Sequence, residues 1–193
     1  MKGKLLAITA LILSMSYALP VRAASEVKER ALAEVLIAQN RDEYKNFEAI
    51  NRIYREVLER DADYRGLKTW SRQLERGSSL RDIRKDIARS PEAKDKIRKI
   101  YAEVLGREAD YMGLETWTEQ LADGSSLRDV RKKIAESREA EDAINRIYQQ
   151  VLGRNADRDG LRTWKRELAE GMTLRELRRK IASSEEGRQR RKR

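Results

Sequence analysis

The sequence predicts an all-α protein made of three tandem 47-residue repeats, each of about three helices, behind an N-terminal leader helix, packed as a compact bundle or a short solenoid. Three observations carry this reading. First, Ile53, Ile100 and Ile147 stand 47 residues apart, as do Gly66, Gly113 and Gly160, then Trp70, Trp117 and Trp164, with no insertion or deletion between them. Second, hydrophobic and charged residues each make up 39% of the chain, which suits helices with narrow apolar stripes and salt-laced outer faces better than buried parallel strands. Third, there are only two prolines, so little interrupts those helices.

Taken in order, residues 1–23 read as a secretory signal. Lys2 and Lys4 form a charged start, Leu5 to Leu19 is an uncharged run, and Val21, Arg22 and Ala23 supply a small-residue cleavage site. The run is about 15 residues, short of the roughly 20 that a spanning helix needs. No later stretch approaches that length, so no transmembrane segment is expected once the signal is removed. The expected destination is the periplasm or the medium. Residues 24–42 follow as a leader helix, with Val27, Ala31, Leu32, Val35 and Ala38 at helical spacing and a polar break from Gln39 to Asp42.

The three-repeat helical domain is expected over residues 43–187. In its first repeat Phe47, Ile50, Tyr54, Val57 and Leu58 share one helix face; Leu67, Trp70 and Leu74 share a second; Leu80, Ile83, Ile87 and Ala88 share a third. The punctuation agrees with three helices. Ser79 with Asp82, Ser126 with Asp129 and Thr173 with Glu176 each read as a capping box. Gly77, Gly124 and Gly171 fall where the second helix must end, and Gly106 and Gly153 fall at the end of the first. The first repeat has Glu59 in that place, so its end should be less well capped. Ser90 and Pro91 supply a cap and a first-turn proline for the next long helix. A unit of this size is too small to stand alone, so neighbouring units must bury one another's faces.

Each repeat contains one version of an eleven-residue phrase, running from Arg60 to Trp70, from Arg107 to Trp117 and from Arg154 to Trp164. Its recurring residues are Arg60, Asp63, Gly66 and Trp70; Arg107, Asp110, Gly113 and Trp117; and Arg154, Asp157, Gly160 and Trp164. Each tryptophan sits on the apolar side of a short helix, where a core residue belongs, with a partly exposed binding ring as the rival reading. Each aspartate is placed to cap the tryptophan helix, the arginine three residues earlier is its expected ion-pair partner, and the glycine allows close approach to the preceding helix. A calcium loop is the sharper alternative, since Asn155 to Gly160 matches the opening of an EF-hand. The twelfth position is Arg166, however, and Met112 and Arg65 break the pattern in the other repeats.

At this phrase the chain resembles the bacterial family known as domain of unknown function 4214. Tyr101 to Arg107, Asp110, Gly113, Leu114, Trp117, Leu121, Gly124, Ser137 and Glu139 match its signature in order, and the match recurs in all three repeats. A looser similarity extends to the linker domains of phycobilisomes. The resemblance implies an all-helical module found in exported and surface-associated bacterial proteins, with no established activity and no catalytic residues to carry over.

Composition narrows function further. The chain has no cysteine and no histidine, which excludes thiol and imidazole catalysis and the usual zinc and haem ligands. No cofactor is expected. A carboxylate-based polysaccharide-acting enzyme is the alternative from another class, yet no irregular acidic insert breaks the repeat pattern. The formal charge is +10, but Lys2, Lys4 and Arg22 leave with the signal. Most of the remaining excess lies in a basic C-terminal tail, residues 188–193, where Arg188, Arg190, Arg191, Lys192 and Arg193 form a candidate electrostatic anchor or a disordered, solubilising end. The remainder lacks the broad basic face of a duplex binder, so no specific nucleic acid is expected. The expected function is that of an exported, non-enzymatic helical repeat protein, a structural or interaction module whose partner is an envelope protein or an acidic glycan or lipid surface.

Overall fold

The computed structural model describes residues 21–191, which form ten helices and no strand. Helix α1 spans Val21–Leu58, α2 Tyr64–Glu75, α3 Leu80–Ala88, α4 Pro91–Val104, α5 Tyr111–Ala122, α6 Leu127–Glu136, α7 Arg138–Leu152, α8 Arg158–Ala169, α9 Leu174–Ser183 and α10 Glu185–Arg191. The chain divides into two compact units, residues 1–48 and 49–193, and the second holds the repeats. The proposed signal falls almost wholly outside the described residues. The expected polar break from Gln39 to Asp42 is corrected, because α1 runs through it without interruption. Gln, Arg and Asp carry no backbone penalty that would stop a helix, and nothing there resembles a cap.

Each repeat is first helix, second helix, third helix. The ends form as their residues dictate. Ser79, Ser126 and Thr173 close reciprocal capping boxes with Asp82, Asp129 and Glu176. Ser90 caps α4 ahead of Pro91. Gly77 closes α2 in a left-handed conformation (φ 101°), with Ser78 N–H donating to the Gln73 carbonyl and Gly77 N–H to that of Leu74, the double bond of a Schellman motif. Among the described residues Glu59 is the one non-glycine with positive φ, at 55°, occupying the place that Gly106 and Gly153 hold in the later repeats.

The core is continuous through the repeats. Ile50, Val57, Ile83, Ile97, Val104, Leu121, Val130, Ile144, Leu168 and Leu177 are buried, and Leu67, Trp70, Leu114, Trp117, Leu161 and Trp164 pack against them half-buried. In the second and third repeats the third helix lies on its own first helix, α6 on α4 and α9 on α7. The third helix of the first and second repeats lies along the second helix of the following repeat, α3 on α5 and α6 on α8, so no repeat completes its core alone. Exposure differs between equivalent positions: Leu127 is 0% exposed, whereas its counterpart Leu80 is 41% exposed.

The disordered alternative for the tail does not hold over Arg188 to Arg191, which are helical. These residues belong to α10, which stands 47 residues after the start of α7 and so repeats the opening of a first helix. Gly187 is buried there, where a Cβ would meet the Ile181 carbonyl oxygen at 2.5 Å. Lys192 and Arg193 lie outside the described residues.

Candidate functional site

The eleven-residue phrase builds the same constellation three times. The Trp70 indole N–H donates to the Tyr54 hydroxyl at 2.9 Å, Trp117 to Tyr101 at 2.9 Å and Trp164 to Tyr148 at 2.8 Å. The polar atom of each half-buried indole is thereby satisfied. The phrase glycine explains the fit: a Cβ at Gly113 would stand 2.4 Å from the Tyr101 hydroxyl oxygen, and at Gly66 and Gly160 the corresponding distances are 2.9 and 3.0 Å. Only a residue without a side chain lets the tyrosine reach its tryptophan.

Each phrase aspartate caps its helix, Asp63, Asp110 and Asp157 accepting at 2.7 Å from the backbone N–H of Gly66, Gly113 and Gly160. The phrase arginine does something the sequence did not reveal. Arg60 lies over the Tyr54 ring at 5.2 Å and forks onto Glu92 with bonds of 2.6 and 2.7 Å; Arg154 lies over Tyr148 at 5.5 Å and forks onto Glu186 with two bonds of 2.7 Å. Arg107 repeats this with Tyr101 and Glu139. The expected Arg–Asp pair is thus corrected: among the described residues it is present only as a secondary contact, Arg107 to Asp110 at 3.3 Å. The principal partner is a glutamate 32 residues onward, at the start of the next first helix. Bidentate geometry favours the carboxylate that faces the guanidinium edge. The hydrogen bonds from Arg60, Arg107 and Arg154 hold Glu92, Glu139 and Glu186 below the usual carboxylate range and raise the arginines in turn.

A second inter-repeat contact also went unread. Arg84 on α3 pairs with Glu56 and donates to the carbonyls of Leu121 and Ser125, both at 2.7 Å, at the end of α5. Arg131 on α6 does the same with Glu103 and the carbonyls of Leu168 and Met172, at 2.8 and 2.7 Å. Each arginine clips its own first helix to the C-terminal carbonyls of the next repeat's second helix, where the dipole favours a cation. In the third repeat Arg178 holds Gln150, and its other N–H groups meet no acceptor among the described residues. The legible signal was the period itself, since Glu92, Glu139 and Glu186, like Arg84, Arg131 and Arg178, recur every 47 residues.

The residues of the calcium alternative point to separate protein partners. Asp157 caps α8, Asp159 pairs with Arg162 at 2.9 Å, and Asn155 accepts from Gln149. No group of three or more carboxylates positioned to hold a metal occurs among the described residues. Nor is any helix among them long and apolar enough to cross a membrane.

The fold and these constellations define a tandem array of three-helix repeats held together by repeat-to-repeat arginine contacts. The model of the domain of unknown function DUF4214 matches residues 38–97, 95–143 and 139–190, and the chain belongs to that family. No curated protein and no solved structure matches the chain.

Proposed function

We propose that the chain is an exported, non-enzymatic interaction module that works at the cell envelope or outside the cell. The observation that carries this reading is how the recurring polar residues are used. In all three repeats the phrase arginine pairs with its glutamate, the tryptophan with its tyrosine and the aspartate with the backbone N–H of the phrase glycine, all in the service of packing. Catalytic groups need unmatched reactivity directed at a substrate, whereas these are mutually satisfied. What varies between repeats is the exposed charge, which is where a binding module differentiates. Export rests on the charged start, apolar run and small-residue site of residues 1–23.

The test is affinity capture from envelope extracts with the mature chain, in parallel with an Arg188→Ser, Arg191→Ser, Lys192→Ser variant, together with fractionation of the producing cells. The expected result is a shortened chain in periplasm or medium that retains one defined protein or glycan. Appearance of new reducing ends when the chain is incubated with envelope polysaccharide, or an uncleaved chain confined to the cytosol, would overturn the proposal.

A further inference from the structure

Between α6 and α8 runs an open groove of about 1070 Å³. Six cationic side chains line it: Arg128 and Lys132 from α6, and Arg158, Arg162, Lys165 and Arg166 from α8. Local pairing uses up half of them. Lys132 meets Glu136 at 3.9 Å, Lys165 meets Glu141 at 3.0 Å and Arg162 meets Asp159 at 2.9 Å. The side chains of Arg128, Arg158 and Arg166 have no hydrogen bond or ion pair among the described residues, and Glu170 is the lining acid left to oppose them.

The equivalent surface one repeat earlier is built differently. There Arg81 meets Asp123 at 3.7 Å, Arg89 meets Glu119 at 3.1 Å and Lys94 meets Glu115 at 3.1 Å. Charge reverses on both walls: Arg89 and Lys94 become Glu136 and Glu141, while the second helix gains three arginines and Thr118 becomes Lys165. This leaves the third-repeat groove with six cations against three acids. Tyr111, Glu115 and Glu119 in the second repeat become Arg158, Arg162 and Arg166 in the third. These positions are exposed or half-buried, and the flanking core residues keep their places, so packing does not require the reversal. A rail spaced i, i+4, i+8 sets one guanidinium about every 6 Å along α8.

We infer that this groove binds a linear acidic polysaccharide bearing a carboxylate or sulfate on each repeating unit. Arg158 and Arg166, at the two ends of the rail and free of local partners, are each available for bidentate contact with an anion of a polymer lying along α8, while Arg162 between them is held by Asp159. Leu161 and Ala169 give the groove an apolar lining against which sugar faces can lie. Its lining holds no aromatic ring of the kind single-stranded nucleic acid stacks on. The inference rests on the interaction-module reading and names the partner class for it.

The experiment compares binding of the mature chain to polygalacturonate, dextran, single-stranded DNA and phosphatidylglycerol vesicles at low salt. Two variants with equal charge change accompany it: Arg128→Ser, Arg158→Ser, Arg166→Ser in the groove, and Arg188→Ser, Arg191→Ser, Lys192→Ser in the tail. The expected result is polygalacturonate binding that falls at least roughly tenfold in the groove variant, weakens with salt, and changes by less than about twofold in the tail variant. Circular dichroism melts of both variants should match the parent, since the groove arginines are exposed. Absence of polygalacturonate binding, equal losses in both variants, or groove-dependent preference for DNA or vesicles would each overturn it. Cleavage of the bound polymer would instead strike at the interaction-module reading while leaving the groove assignment standing.

Discussion

The Nε of Arg131, on the last helix of the second repeat, donates to the carbonyl oxygen of Leu168, 2.8 Å away near the end of a helix of the third. This one side chain also holds Glu103 and the Met172 carbonyl, and it is 14% exposed. Arg131→Met leaves Glu103 and two carbonyls without their donor, at a cost of about 2–3 kcal/mol, because removing one partner of a largely buried pair exposes the desolvation of the other. Arg178→Met, at the exposed counterpart, is expected to cost less than about 0.5 kcal/mol. Urea unfolding of the two variants gives the comparison, and equal losses would show that the clip is not what couples the repeats.

The close approach of Tyr101 to Gly113 predicts non-additive energetics. Gly113→Ala drives a methyl into the tyrosine hydroxyl and is expected to cost about 2–3 kcal/mol. Tyr101→Phe removes the acceptor of the Trp117 indole and is expected to cost about 1–2 kcal/mol. In the double variant the clashing oxygen is gone, so the combined loss should fall about 1 kcal/mol or more short of the sum. Strict additivity in a double-mutant cycle would remove this account of the phrase glycine.

Acid should loosen the array. Glu92, Glu139 and Glu186 have folded-state values depressed by their arginines, so they contribute stability above the ordinary glutamate value of about 4.3, which is lost as pH falls through the depressed values. The melting temperature is expected to be flat from neutral to about pH 5 and to fall below about pH 4. These carboxylates are 41–47% exposed, so salt should shrink the effect. A triple Glu→Gln variant at these positions should show a shallower acid decline; an unchanged profile would assign acid sensitivity elsewhere.

Glu59 is an improvable residue. Its φ of 55° strains a side chain that makes the helix end where two later repeats use glycine. Glu59→Gly is expected to stabilise the chain by about 0.5–1 kcal/mol, the relief of left-handed strain less the extra backbone entropy of glycine. A loss of stability in thermal melts would show that the Glu59 side chain contributes more than its backbone costs.

Much of this protein is written in local terms that a sequence displays. Capping boxes at Ser79, Ser126 and Thr173, the glycine stops at Gly77, Gly124 and Gly171, and the aspartate caps depend on residues three or four apart, and all formed as read. The buried faces followed from helical spacing, because an apolar stripe must find cover. The all-α repeat architecture and the family were therefore legible in the order of residues alone. What the tertiary structure alone decided is who faces whom across repeats. Glu92 and Arg84 were visible as periodic letters, but a periodic charge on an exposed helix face reads as solvation until another repeat's helix is laid against it. The same holds for the continuity of α1 through Gln39 to Asp42, where no residue forbids a helix and none demands a break. It holds too for the rail of Arg158, Arg162 and Arg166, whose charge becomes a groove only because α6 supplies the opposite wall. Local chemistry determines where helices begin, turn and stop; long-range pairing depends on three-dimensional proximity, which a linear order of residues does not contain.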